Sequence, residues 1–418
     1  MKKILILIMV VTLTSCSYLH KKSEFGDFDW KNVLSDSTRQ MSVDESDFVS
    51  YKVQQTSENH YGNLDDYADS VWAIPLETTA ESIIGHITKM QLSDSAFFIS
   101  DYQTNLIKVF DRQGHYLYNI GSVGNGPFEY VQPTDFVVFN NKVFVLDQFQ
   151  HRLIVYGHDG KGLKEYRIPF YCIQIGVIDD NTFLFRGLNS DNDHIPELLD
   201  YSLWVCDTTM QVKKYGCYQK HDEYESILNN NLKQSGDKIY FNDLLNDTIF
   251  SVTKDGNLKC ELVFDFQGKI DKGLFKRGTY VDNYNSGKIY ELSKYFICDS
   301  MLVYYLSIGR SSHLVVSSLN GDKYKYFELN NYTQGKQNVS KLLEGFLNPL
   351  ASENDCMIFA NQPNDIIESY YRIGERAGLE SIAEKNDKYI GLDTDLNLVD
   401  KIDEESNPVL VFCKLKKW

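Results

Sequence analysis

Two stretches, FFISDYQTNLIKVFDRQG at residues 97–114 and VFVLDQFQHRLIVYGHDG at residues 143–160, are one pattern written twice. In each, a short apolar run ends on an acid (Asp101, Asp147), a polar turn leads to a second apolar run, and a further turn closes on glycine (Gly114, Gly160). The acid-to-glycine interval is 13 residues in both copies, and the copies lie 46 residues apart. The same interval returns from Asp243 to Gly256, two periods of 48 residues beyond Asp147.

A period of 40 to 50 residues, roughly, that carries four short strands is the signature of a propeller blade. Turn chemistry agrees, with Asp111-Arg-Gln-Gly114, His158-Asp-Gly160 and Lys254-Asp-Gly256 supplying tight hairpins. The expected fold class is all-β, a six-bladed β-propeller with four-stranded blades and a helical insertion at about 366–385, where apolar residues recur at helical spacing. The strand VWAIPL at 71–76 precedes the first full blade and is suited to close the ring with the terminal strand at 409–415. Insertions at 187–200, 267–288 and 366–385 fall between strands b and c or between blades, so all three are expected on one face.

The chain opens MKKILILIMVVTLTSC, a basic start followed by an apolar run too short to span a bilayer comfortably. Leu13-Thr14-Ser15-Cys16 resembles the bacterial lipobox, which implies a signal peptide over 1–15 and lipidation of Cys16; an ordinary leader with an incidental cysteine accounts for the same residues. Residues 16–69 are polar and aperiodic and read as a flexible tether, with the propeller over 70–418. The resemblance implies a lipid anchor in the bacterial outer membrane, and the absence of an acidic cluster after Cys16 favours its periplasmic side.

A net charge of −16 disfavours nucleic acid as a partner and is compatible with cationic or neutral ones. Seven further cysteines are scattered without metal-ligand spacing, so buried thiols are expected, although an oxidising compartment would permit one disulfide.

Between the two best copies lies GSVGNGPFEYVQP at 121–133. With Gly124, Gly126, Pro127, Asp147, His151, Arg152, Leu153, Val155, Tyr156 and Gly160, this stretch resembles the NHL repeat, and the whole chain looks like six-bladed propeller lipoproteins of Bacteroides-type bacteria. A dinucleotide fingerprint is excluded because Pro127 interrupts the glycine motif and no helix follows. The expected role of these glycines is to permit positive φ at the crossing between blades.

The acids Asp101, Asp147 and Asp243 end b strands and face two readings. Each can accept N–H bonds within its own loop. Alternatively, a ring of carboxylates with Asn105, His151 and Asp247 could hold a cationic ligand or calcium, the one cofactor considered; none is otherwise expected. Arg152 of the repeat and Arg186 and Arg310 of neighbouring blades are further ligand-binding candidates, the last two for a carboxylate or sugar acid. With no G-x-S-x-G, no H-E-x-x-H and dispersed histidines, the favoured function is a non-enzymatic binding or scaffolding protein of the cell envelope. It would engage a protein, peptide or glycan through the face bearing the long loops. The alternative is a hydrolase or lyase at a channel mouth.

Overall fold

The computed structural model describes residues 32–53, 67–187, 192–218, 232–242, 247–266, 289–308, 311–331, 336–337, 348–367 and 401–417. Six antiparallel sheets follow one another in a ring. Blades 1 and 2 each run a to d in chain order, Ile87–Leu92, Ala96–Asp101, Leu106–Asp111 and Tyr116–Ile120, then Asp135–Phe139, Lys142–Asp147, Arg152–Gly157 and Gly162–Arg167. Blades 3, 4 and 5 begin at Gln174, Leu232 and Ile289. Blade 6 takes strands a to c from Ala351–Glu353, Cys356–Asn361 and Val409–Leu415. Its outer strand is Ala68–Pro75, antiparallel to the C-terminal strand, with Trp72 stacked on Phe412 at 5.2 Å. The molecule is therefore the six-bladed propeller expected, closed by the strand that contains VWAIP at 71–75.

Strand b explains why the repeat reads as a continuous apolar run. Six buried clusters fill the six junctions between neighbouring blades. Consecutive residues of strand b alternate between the clusters on its two sides: Phe97 packs towards blade 6 and Phe98 towards blade 2, as Val143 packs towards blade 1 and Phe144 towards blade 3. A strand covered on both faces has no polar side to alternate with. The aromatic content goes largely to these junctions, for example Phe144 against Phe183 at 6.0 Å and Phe264 against Tyr304 at 4.9 Å.

The N-terminal segment departs from expectation. In place of a flexible tether throughout 16–69, residues 39–40 add to the outer edge of blade 3 and residues 43–44 and 49–53 to the outer edge of blade 4, all parallel to the edge strand. Val33 and Met41 are buried, and Tyr51 is buried with its hydroxyl donating to the Leu319 carbonyl of blade 5. The cause is physical: an outer propeller strand leaves N–H and C=O groups unpaired, and a passing extended segment satisfies them. The stretches 16–31 and 54–66 lie outside the described residues. The helical insertion begins with a short helix at 363–367, and the rest of 366–385 lies outside the described residues.

Candidate functional site

The repeating acids are built into the scaffold. Asp101 is fully buried and accepts from the backbone N–H of Gly85 (3.1 Å), His86 (2.8 Å), Gln103 (3.3 Å) and Thr104 (3.2 Å) and from the Thr104 hydroxyl (2.6 Å). Asp147, equally buried, accepts from Val131 (2.7 Å), Phe149 (3.0 Å) and Gln150 (3.2 Å). Each carboxylate thus stitches the linker entering its blade to the b–c loop of the same blade. Their oxygens point into loop amides rather than towards the channel mouth.

The residues four positions on serve the same turns. Asn105 and His151 take φ of 55° and 51°, the left-handed conformation that ends the b–c loop. His151 is nearly buried, with Nδ1 against the Gln148 amide at 3.0 Å and its ring edge on Tyr171. Asp247 accepts from the Thr248 hydroxyl at 3.3 Å, and its carbonyl accepts from the Phe264 N–H. Arg152 donates to the Gly126 carbonyl at 3.2 Å and lies 3.5 Å from Glu165, so it pins the glycine linker. Arg186 is buried and donates to Gln174 at 2.9 Å. Asp243 and Arg310 lie outside the described residues, as does Cys16.

The glycine linker works differently from expectation. Of its glycines only Gly121 has positive φ, at 63°. Gly124 and Gly126 are needed for space: a Cβ on either would stand 2.1 Å or 2.9 Å from the Glu129 carboxylate, which accepts the Gly126 N–H at 2.8 Å. Gln150 donates to the Gly124 carbonyl and Tyr156 to that of Phe128, so the linker is held from blade 2.

Sequence reasoning missed the channel wall. The innermost strands carry polar residues opposite the b strands: Lys89 opposite Ser100, Asp135 opposite Leu146, Gln174 opposite Arg186 and Lys294 opposite Tyr305. These side chains reach the next blade. Lys89 pairs with Asp135 at 2.6 Å, Asp135 accepts the Ile175 N–H at 2.9 Å, and Gln174 bonds both the N–H and the carbonyl of Leu232. Lys294 donates to the Asn348 side-chain amide of blade 6. Lys233, opposite Tyr240 in blade 4, donates to the Tyr295 carbonyl at 2.5 Å and lies 3.9 Å from the Phe296 ring centre. Burial, reinforced by Lys294 and Lys89, pushes its amine down to about 7.

The a–b turns surround a cavity of about 730 Å³ at one end of the axis, opposite the face favoured from sequence. Its wall comes from the a–b turns of blades 1 to 4, Glu353 of blade 6, and the c–d turn residues His158 and Lys254. Four carboxylates line it, Asp94, Asp179, Asp237 and Glu353. Glu353 is paired with Arg112, and His158 meets the Ser93 hydroxyl at 3.3 Å. Asp94, Asp179 and Asp237 are exposed and have no ion pair among the described residues. Asn140 and Asn141 take φ of 48° and 57°, which gives blade 2 a tight primed turn at the rim. Among the described residues there is no group of three or more His, Cys, Asp or Glu placed to hold a metal ion, and none of the seven described cysteines is in a disulfide.

Ring closure, blade-junction cores and an axial cavity define a six-bladed β-propeller. Within that class, residues 49–414 match the family described as a domain of unknown function, DUF4934, and the chain belongs to it. No curated protein matches the sequence. Among solved structures, an exported-protein candidate from Bacteroides fragilis NCTC 9343 is similar at TM-score 0.66 and 17% identity, over 89% of this chain and 100% of that one. A member of the DUF4221 family from Bacteroides vulgatus gives TM-score 0.45 and 12% identity, over 84% of this chain and 97% of that one. At 17% identity the likeness to the Bacteroides fragilis structure is one of fold.

Proposed function

We propose that this chain is a binding protein of the bacterial cell envelope, anchored through a lipid on Cys16, that receives a basic peptide segment of a partner protein in the acidic mouth of its channel. The observation that carries the reading is the cavity formed by turns of several blades, with Asp94, Asp179 and Asp237 free of ion pairs among the described residues. Carboxylates on tight turns keep their positions at little entropic cost, so a cationic ligand meets a prearranged field. The expected repulsion of a nucleic-acid backbone follows from the same charges and from the net −16.

Fluorescence anisotropy with a labelled lysine-rich peptide tests this on the propeller expressed without residues 1–15. Binding should be saturable and weaken about tenfold or more in Asp94→Asn/Asp237→Asn, with an unchanged melting temperature, and should fall with salt. Equal binding by the double variant, or preference for a neutral glycan, removes the reading. Separately, Cys16→Ala in the full chain should move the protein from the membrane to the soluble fraction.

A further inference from the structure

The channel interior carries charge of the opposite sign to its mouth. Lys89, Lys233 and Lys294 stand on the innermost strands of blades 1, 4 and 5, each reaching to the next blade, and the charges of Lys294 and Lys89 both act on Lys233. Only Lys89 has a carboxylate, Asp135 at 2.6 Å, and that carboxylate also accepts the Ile175 N–H. Lys233 rests on a carbonyl and two aromatic rings, and Lys294 on a neutral amide. No carboxylate lies within ion-pair distance of either among the described residues. Two partly dehydrated ammonium groups that repel each other are costly to keep. Neutral contacts orient them without neutralising them, which leaves their charge available to a third group.

We propose that the channel binds a small oxyanion between Lys233 and Lys294, with the Lys89–Asp135 pair bounding the site. The ligand class is a compact group with two or more negative or strongly accepting oxygens: the carboxylate of a sugar acid, or a phosphate or sulfate. Each amine can give an N–H to a different oxygen while keeping its present neutral partner, because an ammonium has three donors. This site is separate from the acidic mouth, and its test does not depend on a peptide binding there.

Isothermal calorimetry on the propeller at pH 6, where Lys233 is protonated, with glucuronate, inorganic phosphate and sulfate titrated separately against a chloride background, reads the site. At least one oxyanion should bind saturably, and preference among the three identifies the source. Lys233→Met and Lys294→Met should each weaken that binding about tenfold, and the double variant should abolish it. Circular dichroism melting shows that the variants fold. Absence of saturable binding by all three oxyanions overturns the proposal. Undiminished binding in a folded double variant, or equal competition by chloride, overturns it as well.

Discussion

The b–c loops of blades 1 and 2 and the innermost strands of blades 4 and 5 treat charge in opposite ways. In the loops, Asp101 and Asp147 are surrounded by donors and their charge is consumed by the scaffold. In the strands, Lys233 and Lys294 have neutral partners and their charge is left over. The residue that repeats from blade to blade builds the blade, and the residues that break the repeat, Lys233 and Lys294, carry charge that no carboxylate answers among the described residues. Recurrence in a propeller is therefore a guide to architecture, and the search for a site starts where it fails.

The strongest way to break this comparison is to delete the repeating acid. Asp101→Ala abandons five hydrogen bonds and leaves buried N–H groups without an acceptor. A loss of about 3–5 kcal/mol is expected in denaturant unfolding, with a smaller loss for Asp147→Ala, which abandons three. Millimolar calcium should leave the melting temperature of the unaltered protein unchanged. If calcium raised it, and Asp147→Ala abolished that rise, the acids would be ligands after all.

The opposite sign is expected in the channel. The Lys233 amine titrates at about 7 in the fold against 10.5 ordinarily, so between those values the unfolded chain holds a proton that the native protein lacks. Native stability from this group therefore rises with pH from about 7 to about 10, and below 7 the whole penalty is present. Lys233→Met should stabilise the protein by about 2 kcal/mol at pH 7, after discounting for partial solvent access, with the gain shrinking towards pH 10. Urea unfolding at pH 6, 7, 8.5 and 10 measures it. A destabilised variant at pH 7 would mean that the lysine is a structural strut.

The fold was legible because junction packing imposes the same rule on every blade, so Phe97–Phe98 and Val143–Phe144 betray it by being apolar on both faces. The site was not, because Lys89, Lys233 and Lys294 sit in strands of different blades, up to about 200 residues apart, and only ring closure brings them to one axis. A weak signal existed: a lone lysine inside an apolar strand such as IYELSKYFI at Ile289–Ile297 is a charge that the pattern does not require. The glycines at 124 and 126 were recognised as special for the wrong physical reason, since the space they leave for Glu129 is not encoded in local dihedral preference. The N-terminal edge strands were missed because a parallel addition of two to five residues has no periodicity to show.

Those edge strands supply the smallest effect and extend the comparison from charge to hydrogen bonding. Tyr51 is buried between blades 4 and 5, stacked on Phe264 at 5.4 Å, and its hydroxyl, pushed up to about 12 by burial, stays protonated and donates to the Leu319 carbonyl. Tyr51→Phe keeps the ring and removes only the donor, so a loss of about 1 kcal/mol is expected, constant from pH 6 to 9. A local consequence distinguishes a docked strand from an incidental contact. Hydrogen exchange at Val263 to Asp265, whose outer edge is paired with residues 50–52, should speed up together with exchange in residues 49–53. If exchange rose only in the N-terminal segment while blade 4 stayed protected, the segment would be a passenger on a blade already complete without it.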